Sequence, residues 1–468
     1  QYAIEKYGQD RVAHIVTFAT IKAKQAIRDA ARVLGLPFSS GDRVAKLMPP
    51  MILGNTATIS ECLSLDEENT SGYSKEFYSA SEELRKQYKN DEEAKQIIDI
   101  ALGLEGLRRQ DGIHAAAIVI SPDTITKFLP IQQKGSNAEI VTQYEMHTVE
   151  QLGLLKMDFL GLRNLSIVDR TLELIGSESL DIDNLKLDDE KTFKLFAEGK
   201  MTGVFQLESR VAQSTSRSLK PKRFEDIVAL VALIRPGPLG AGMHNEFADR
   251  ANNRKEIEYL HSDLESILNE TYGVILYQEQ VMQIAEKIAG FNLQEADNLR
   301  VAMGKKIPKV MEEQRKKFTD GAVSNNYSEQ FAIELFDQIA YFAGYGFNKS
   351  HSVPYALLAY QTAYLKANYP AEYIAACLTA VKRDKDRTAI FLSEARDMGV
   401  KVSTPDVNLS SSDFTVNDNE ILFGLSAVRN VGDITADKIV FERESNGDFK
   451  SIEDFLSRID SRSLNKRG

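Results

Sequence analysis

The sequence predicts a mostly helical α+β fold, and three features carry that reading. From about residue 165 onward, apolar residues recur almost throughout at the period of an amphipathic helix. Ahead of them stand two short apolar runs, Ala115–Ile120 and Leu152–Phe159. Each is too short for a buried helix and is bounded by turn formers, so both read as buried strands. The length, 468 residues with 43% hydrophobic and 27% charged side chains, suits several ordinary cores rather than one.

Taken in chain order, Tyr2–Gly8 reads as the tail of a helix. Residues 24–34 follow as a helix, with Ala26, Ile27, Ala30, Ala31 and Leu34 on one face and Gly35-Leu36-Pro37 ending it. Ser60 to about Asn90 is polar with little pattern, and Ile97, Ile98, Ala101 and Leu102 resume a helical face. Beyond the two strand-like runs, Val281, Ile284, Ala285 and Ile288 form a stripe that Gly290 closes. Phe331, Leu335 and Ile339, beside Ala332, Phe336 and Ala340, form another that Gly344 stops. Pro354 is expected to open a helix capped by Ser352, and Pro370 to end it. Alternation near 410–424 predicts a short hairpin.

A net charge of −11 argues against a protein that simply coats nucleic acid, although a local basic channel remains compatible with it. Two distant cysteines, Cys62 and Cys377, exclude a cysteine-built zinc site and fit a reducing, cytoplasmic setting. No run of roughly 18 apolar residues exists, so no membrane span is expected, and no signal peptide is visible. The chain starts at Gln1 inside a helical pattern and stops at Gly468, so it reads as a fragment of something longer.

Several segments combine residues suited to phosphate chemistry. Lys156 and Asp158, two apart on an expected strand, share one face; the pair suits a metal ion and a phosphate, or a plain structural ion pair. In Arg235-Pro236-Gly237-Pro238 the prolines fix the backbone, and an arginine so held can fork onto phosphate or cap a helix. Residues 300–317 carry Arg300, Lys305, Lys306, Lys309, Arg315, Lys316 and Lys317 against Glu312 and Glu313 only, either a solvated face or a phosphate-binding surface. Gly344 to Ser352 holds two anion donors, Lys349 and His351, with Tyr345 and Phe347 able to stack on a base or pack in a core. Val428-Arg429-Asn430-Val431-Gly432 resembles a helix-hairpin-helix turn, which offers backbone N–H groups to a DNA phosphate. Asn430 stands where that turn usually has glycine, and asparagine tolerates the left-handed backbone.

Eight strings in register closely resemble the bacterial C-family replicative polymerases, the DNA polymerase III alpha subunits. They are Asp10-Arg11-Val12 with Ile15-Val16-Thr17-Phe18; Gly112 with His114-Ala115-Ala116; Lys156 to Leu162; and Phe205-Gln206-Leu207-Glu208-Ser209. They continue with Arg235 to Pro238, Ile275-Leu276-Tyr277-Gln278-Glu279-Gln280, Met303-Gly304-Lys305-Lys306, and residues 344–352. The resemblance implies a nucleotidyltransferase-like palm in 1–17 and 111–164, a helical thumb in 18–110 and helical fingers in 165–410. Residues 411–468 would then open a clamp-binding, tandem helix-hairpin-helix region.

It further implies that a primer 3′-hydroxyl attacks a deoxynucleoside triphosphate with loss of pyrophosphate, two Mg²⁺ ions holding the oxygens. Asp158 matches the third of three metal-binding aspartates, and Lys156 a lysine facing the nucleotide. Arg235, Lys305, Lys306, Lys349 and His351 match nucleotide-binding motifs, with a proton-donor role for His351 toward pyrophosphate. Arg300, Lys309, Arg429, Asn430 and Gly432 are the expected DNA contacts. Primer–template DNA, a sliding clamp and other replicase subunits are the implied partners. In that family the other two aspartates lie upstream of the position of Tyr2, so this piece alone is expected to be inert. Residues 211–216 depart from the family pattern and receive no role. The competing reading is a helical module that grips duplex DNA without chemistry. A metal-dependent phosphoesterase fits poorly, because the six histidines include no ligand-spaced pair.

Overall fold

The computed structural model describes residues 1–51, 56–64, 74–133, 135, 138–176, 180–305, 308–343 and 346–459. The chain forms two compact units, Gln1–Gly161 and Leu162–Gly468.

The first unit is built on one mixed sheet. Its strands are β1 (Val12–Thr20), β2 (Arg108–Ile120), β3 (Ile131–Gln132), β4 (Val141–Thr142) and β5 (Leu155–Asp158), in the order β3-β4-β1-β2-β5. β1 runs antiparallel to β2 and parallel to β4, and among the described strands β5 pairs only with β2, antiparallel. Ile15, Ala117 and Val119 enter a small core with Ile125, Leu129 and Val149.

The apolar run Ala115–Ile120 is the second half of β2, buried only at Ala117 and Val119, and the strand's exposed polar first half carried no hydrophobic signal. The other expected buried strand is corrected. Only Leu155–Asp158 is extended, at the sheet edge, and Leu155, Met157 and Phe159 are exposed. An edge strand has a neighbour on one side only, so apolar content alone does not bury it.

Between β1 and β2 lies a helical insert. The Ala23–Val33 and Glu92–Leu104 helices bury Ala26, Ile27 and Ala30 against Ile97, Ile98 and Ala101. The Asp91 carboxylate accepts from the N–H groups of Glu93 and Ala94 and so starts the second helix. The stretch that looks patternless in sequence holds short helices at Ile59–Leu63, Ser74–Ser79 and Glu82–Asn90. Each anchors on one or two buried residues, such as Cys62, Phe77 and Leu84, too few to make a period.

The second unit is helical up to Asp397. The Phe224–Leu233 helix is buried all round and packs on the Lys349–Asn368 helix. In a neighbouring core, Val281, Ile284 and Ile288 of the Gln278–Ala289 helix meet Leu335, Phe336 and Phe318. Gly290, at φ 69°, ends that helix as expected. Gly321, in the Pro308–Ser324 helix, lies so close to Ala289 that a Cβ would stand 2.2 Å from the Ala289 carbonyl oxygen. Lys366 is fully buried, and its Nζ donates to the carbonyls of Lys200 and Thr202 and to Glu394 Oε1.

The expectation at Pro354 is also corrected. The helix begins at Lys349 and Pro354 lies inside it. Asn348 caps it by accepting the His351 N–H, whereas Ser352 is buried within the helix. Pro370 opens the next helix, Pro370–Val381. The Glu329–Ala343 helix matches its stripe, while its expected stop at Gly344 lies outside the described residues.

Near the C-terminal end, β6 (Thr415–Asn417) and β7 (Glu420–Leu422) form the expected hairpin. Asp418 and Asn419 both take positive φ there, as a two-residue hairpin turn requires. A 3-10 turn, Leu425–Ala427, then leads to the helices Asp433–Asn446 and Ile452–Arg458.

Candidate nucleotide and DNA-binding sites

In the first unit, antiparallel pairing sets Asp158 opposite Ala117 and Lys156 opposite Val119. The shared-face expectation is met: Lys156 Nζ donates to Asp158 Oδ2 at 2.7 Å. Lys156 is packed, with 17% of its side chain exposed, whereas Asp158 is 51% exposed. So open an ion pair is worth at most about 1 kcal/mol. A cation could therefore take the carboxylate, or a phosphate the ammonium, at small cost. A cleft of about 490 Å³ on the same unit is lined by Tyr2, His14, His114, Glu139 and Phe159, among others.

In the second unit two of the expected anion donors, Arg235 and His351, stand against one aromatic ring, Phe347. Arg235 is extended and precedes the short Pro236–Gly240 helix, with Pro236 at its first position. Its guanidinium carbon lies 3.5 Å from the Phe347 ring centroid. Burial lowers the Arg235 pKa below the ordinary range, and among the described residues no carboxylate pairs with it. Phe347 is fixed by a parallel bridge to Tyr277, with Gln278 N–H donating to Phe347 O at 2.9 Å. His351 stands edge-on to Phe347, at 5.4 Å between centroids, and lies 4.4 Å from the Tyr355 ring.

Two acids already occupy Lys349 and the first N–H groups of its helix. Glu270 Oε2 accepts from Lys349 Nζ at 2.7 Å. Both Glu279 carboxylate oxygens accept from the Lys349 N–H, and one also accepts from the Ser350 N–H. A carboxylate thus sits at a helix N-terminus, where any anion is favoured. Sequence reasoning assigned no role to Glu270, Glu279 or Tyr355. Glu279 belongs to the quoted Ile275–Gln280 string, and its facing of Lys349 depends on a contact 70 residues apart. The Tyr277 hydroxyl is buried beneath, without a hydrogen-bond partner among the described residues, and burial drives its pKa far up.

The basic 300–317 segment is more neutralised than its sequence suggests. Arg300 pairs with Asp297, Arg315 with Asp337, and Lys317 with Glu295. Lys316 is exposed. Lys305 and Lys309 lie at a helix end and a helix start, with their side chains outside what is described, and Lys306 lies outside the described residues. At the C-terminal turn, Asn430 adopts φ 66°, the left-handed conformation expected of it. Arg429, Asn430 and Gly432 are exposed, and Gly432 precedes the Asp433–Asn446 helix without a side-chain cap. Lys382 and Arg383 both bind Asp433, which adds cations beside the turn.

A two-ion magnesium centre needs several hard oxygen donors. Among the described residues no group of three or more histidine, cysteine, aspartate or glutamate side chains could hold a metal ion. Asp158 alone does not fit such a centre. Among the described residues, no helix is long and apolar enough to cross a membrane.

An edge-strand acid beside a lysine, an arginine stacked on an aromatic ring, and a left-handed turn ahead of a helix are the arrangements this chain offers to phosphate groups. Comparison with known proteins agrees. Residues 1–161 match the bacterial DNA polymerase III alpha NTPase domain and 164–326 the bacterial DNA polymerase III alpha subunit finger domain. Residues 399–468 match a helix-hairpin-helix motif. The chain belongs to the bacterial DNA polymerase III alpha subunit family. It is 45% identical to the DNA polymerase III subunit alpha of Thermus aquaticus, over 100% of this chain and 37% of that protein. It is 42% identical to those of Mycobacterium tuberculosis and Escherichia coli, over 100% of this chain and 40% of each. The chain thus spans about two fifths of the length of the relatives it matches.

Proposed function

We propose that the chain is the palm, thumb and fingers portion of a replicative DNA-directed DNA polymerase that adds deoxynucleotides to a primer 3′-hydroxyl and releases pyrophosphate. The single observation that carries this reading is Arg235: a half-buried guanidinium stacked on Phe347, with no carboxylate partner among the described residues, on the ring that His351 meets edge-on. An arginine held so, without a counter-charge, suits a phosphate oxygen. In this reading residues 1–17 and 111–164 are palm, 18–110 thumb and 165–410 fingers, and 411–468 begin the clamp-binding region. The sheet interrupted by a helical insert supports that order.

Lys349 and His351 then face the triphosphate, and Lys156 the nucleotide at the primer end. Asp158 would be one of several oxygen donors needed to hold Mg²⁺, which would neutralise charge on the reacting phosphate. Arg300, Lys309, Arg429, Asn430 and the N–H groups after Gly432 hold the phosphates of primer–template DNA. A sliding clamp and other replicase subunits are the further partners.

The test is primer extension by a polymerase carrying this chain, together with equilibrium DNA binding across a salt series. Arg235→Ala should raise the nucleotide KM about 10- to 100-fold, the loss of one charge-assisted hydrogen bond to phosphate. Asp158→Ala should abolish extension while leaving salt-dependent DNA binding intact. An Asp158→Ala enzyme that extends primers at the wild-type rate would refute the reading and favour a module that only grips DNA.

A further inference from the structure

The ladder between β1 and β2 is broken beside the cleft. His14 faces Ile118, yet Val16 faces Ile113, so residues 114–117 of β2 stand opposite Ile15 alone. Such a bulge leaves backbone N–H groups without ladder partners. Here a side chain supplies the acceptor: His114 Nδ1 accepts from Ala117 N at 2.9 Å and from Ala116 N at 3.2 Å. An accepting Nδ1 carries no proton, so the neutral ring holds its proton on Nε2. The same two residues fix the end of β5. Phe159 N donates to Ala116 O at 2.8 Å, and Ala117 is the pairing partner of Asp158. β5 has no second neighbour among the described strands, so β2 is the strand that sets the backbone position of Asp158.

We propose that His114 is a positioning residue for Asp158: its Nδ1 locks the β2 bulge, and the locked bulge places the Asp158 carboxylate. The inference rests on the reading of Asp158 given above. His114 acts through Ala116 and Ala117 and needs no contact with substrate.

Two near-isosteric substitutions separate the ring nitrogens. In His114→Asn the side-chain oxygen can occupy the Nδ1 position, whereas in His114→Gln the amide reaches toward Nε2 and leaves Nδ1 empty. Each variant is made in the polymerase carrying this chain. Two readouts are taken: primer-extension rate with nucleotide KM and DNA affinity, and hydrogen–deuterium exchange of the segments 114–120 and 155–160. His114→Ala and His114→Gln should speed exchange in both segments. They should lower kcat roughly 10- to 100-fold, as a small misplacement of a reacting group does, with DNA affinity unchanged. His114→Asn should restore both readouts. Activity kept by Gln and lost by Asn would overturn the proposal, since the far nitrogen would then touch substrate. Unchanged exchange in His114→Ala would overturn it as well. An Asp158→Ala control at full rate would instead remove the reading of Asp158, and the exchange data would still report whether His114 sets the strand.

Discussion

Consider Glu270→Gln. Lys349 Nζ is held by Glu270 at 2.7 Å, with 36% and 29% of the two side chains exposed. If Lys349 holds a triphosphate, it must leave Glu270 to do so. A pair this open is worth about 0.2–1 kcal/mol. Removing the competitor returns that energy to nucleotide binding, and since 1.4 kcal/mol is tenfold, affinity should rise about 1.4- to 5-fold. Loss of a carboxylate facing the triphosphate acts in the same direction. Stability should change by no more than about 1 kcal/mol, because the freed ammonium can be hydrated. The Glu270 backbone carbonyl still accepts from Arg223 Nη2 and keeps the loop in place. The assay is equilibrium binding of a deoxynucleoside triphosphate to the polymerase on primer–template, with Lys349→Ala as the opposing arm. The gain should shrink as ionic strength rises. A folded Glu270→Gln protein with unchanged or weaker nucleotide affinity would refute the reasoning, since Lys349 would then not be the group for which carboxylate and triphosphate compete.

Other outcomes follow from the packing. Lys366→Met leaves Glu394 and two carbonyls without their buried donor, so it should destabilise the second unit by about 3–5 kcal/mol in denaturant titration. Adding Glu394→Leu should recover part of the loss, and a single-mutant effect below about 1 kcal/mol would contradict the assigned role. Gly321→Ala should cost about 1–3 kcal/mol by forcing two helix backbones apart, read as a lower denaturation midpoint. Glu105 has its pKa raised, chiefly by burial, against the pull of the hydrogen bond from Ile59 N–H. With the folded pKa above the unfolded one, its contribution is fully present below the unfolded carboxylate range and is lost as pH rises through the folded pKa. Glu105→Gln should therefore match the wild type in acid and exceed it in thermal stability at neutral pH.

Much of the fold was legible because its long helices carry continuous stripes. The Val281–Ile288 face and its Gly290 stop could be read directly, since burial on one side imposes a period on the sequence. Short helices such as Glu82–Asn90 escaped, because one buried leucine and a polar cap make no period. Pro354 misled for a different reason. The Lys349–Asn368 helix starts ahead of it through Asn348 and a distant partner, Glu279.

The candidate site divides in the same way. Lys156 and Asp158 share a face by strand alternation, a local rule that holds in any strand. Glu270 and Glu279 become visible only when the chain folds back, 79 and 70 residues away from Lys349. The charge run at 300–317 conveyed its sign but not its neutralisation, since Asp337 and Glu295 come from outside the run.

The contact at Gly321 also has a mechanical side. Ala289 ends a helix of 12 residues whose other end, Gln278-Glu279, grips the Phe347–Ser350 backbone. At Gly321 itself backbone meets backbone, with no side chain between the two helices at that point. A shift of the Pro308–Ser324 helix at Gly321 therefore pushes a stiff rod of about 18 Å. The rod's far end is the carboxylate seated on the Lys349 helix. A displacement at Gly321 and the seat of that carboxylate are thereby linked through one helix.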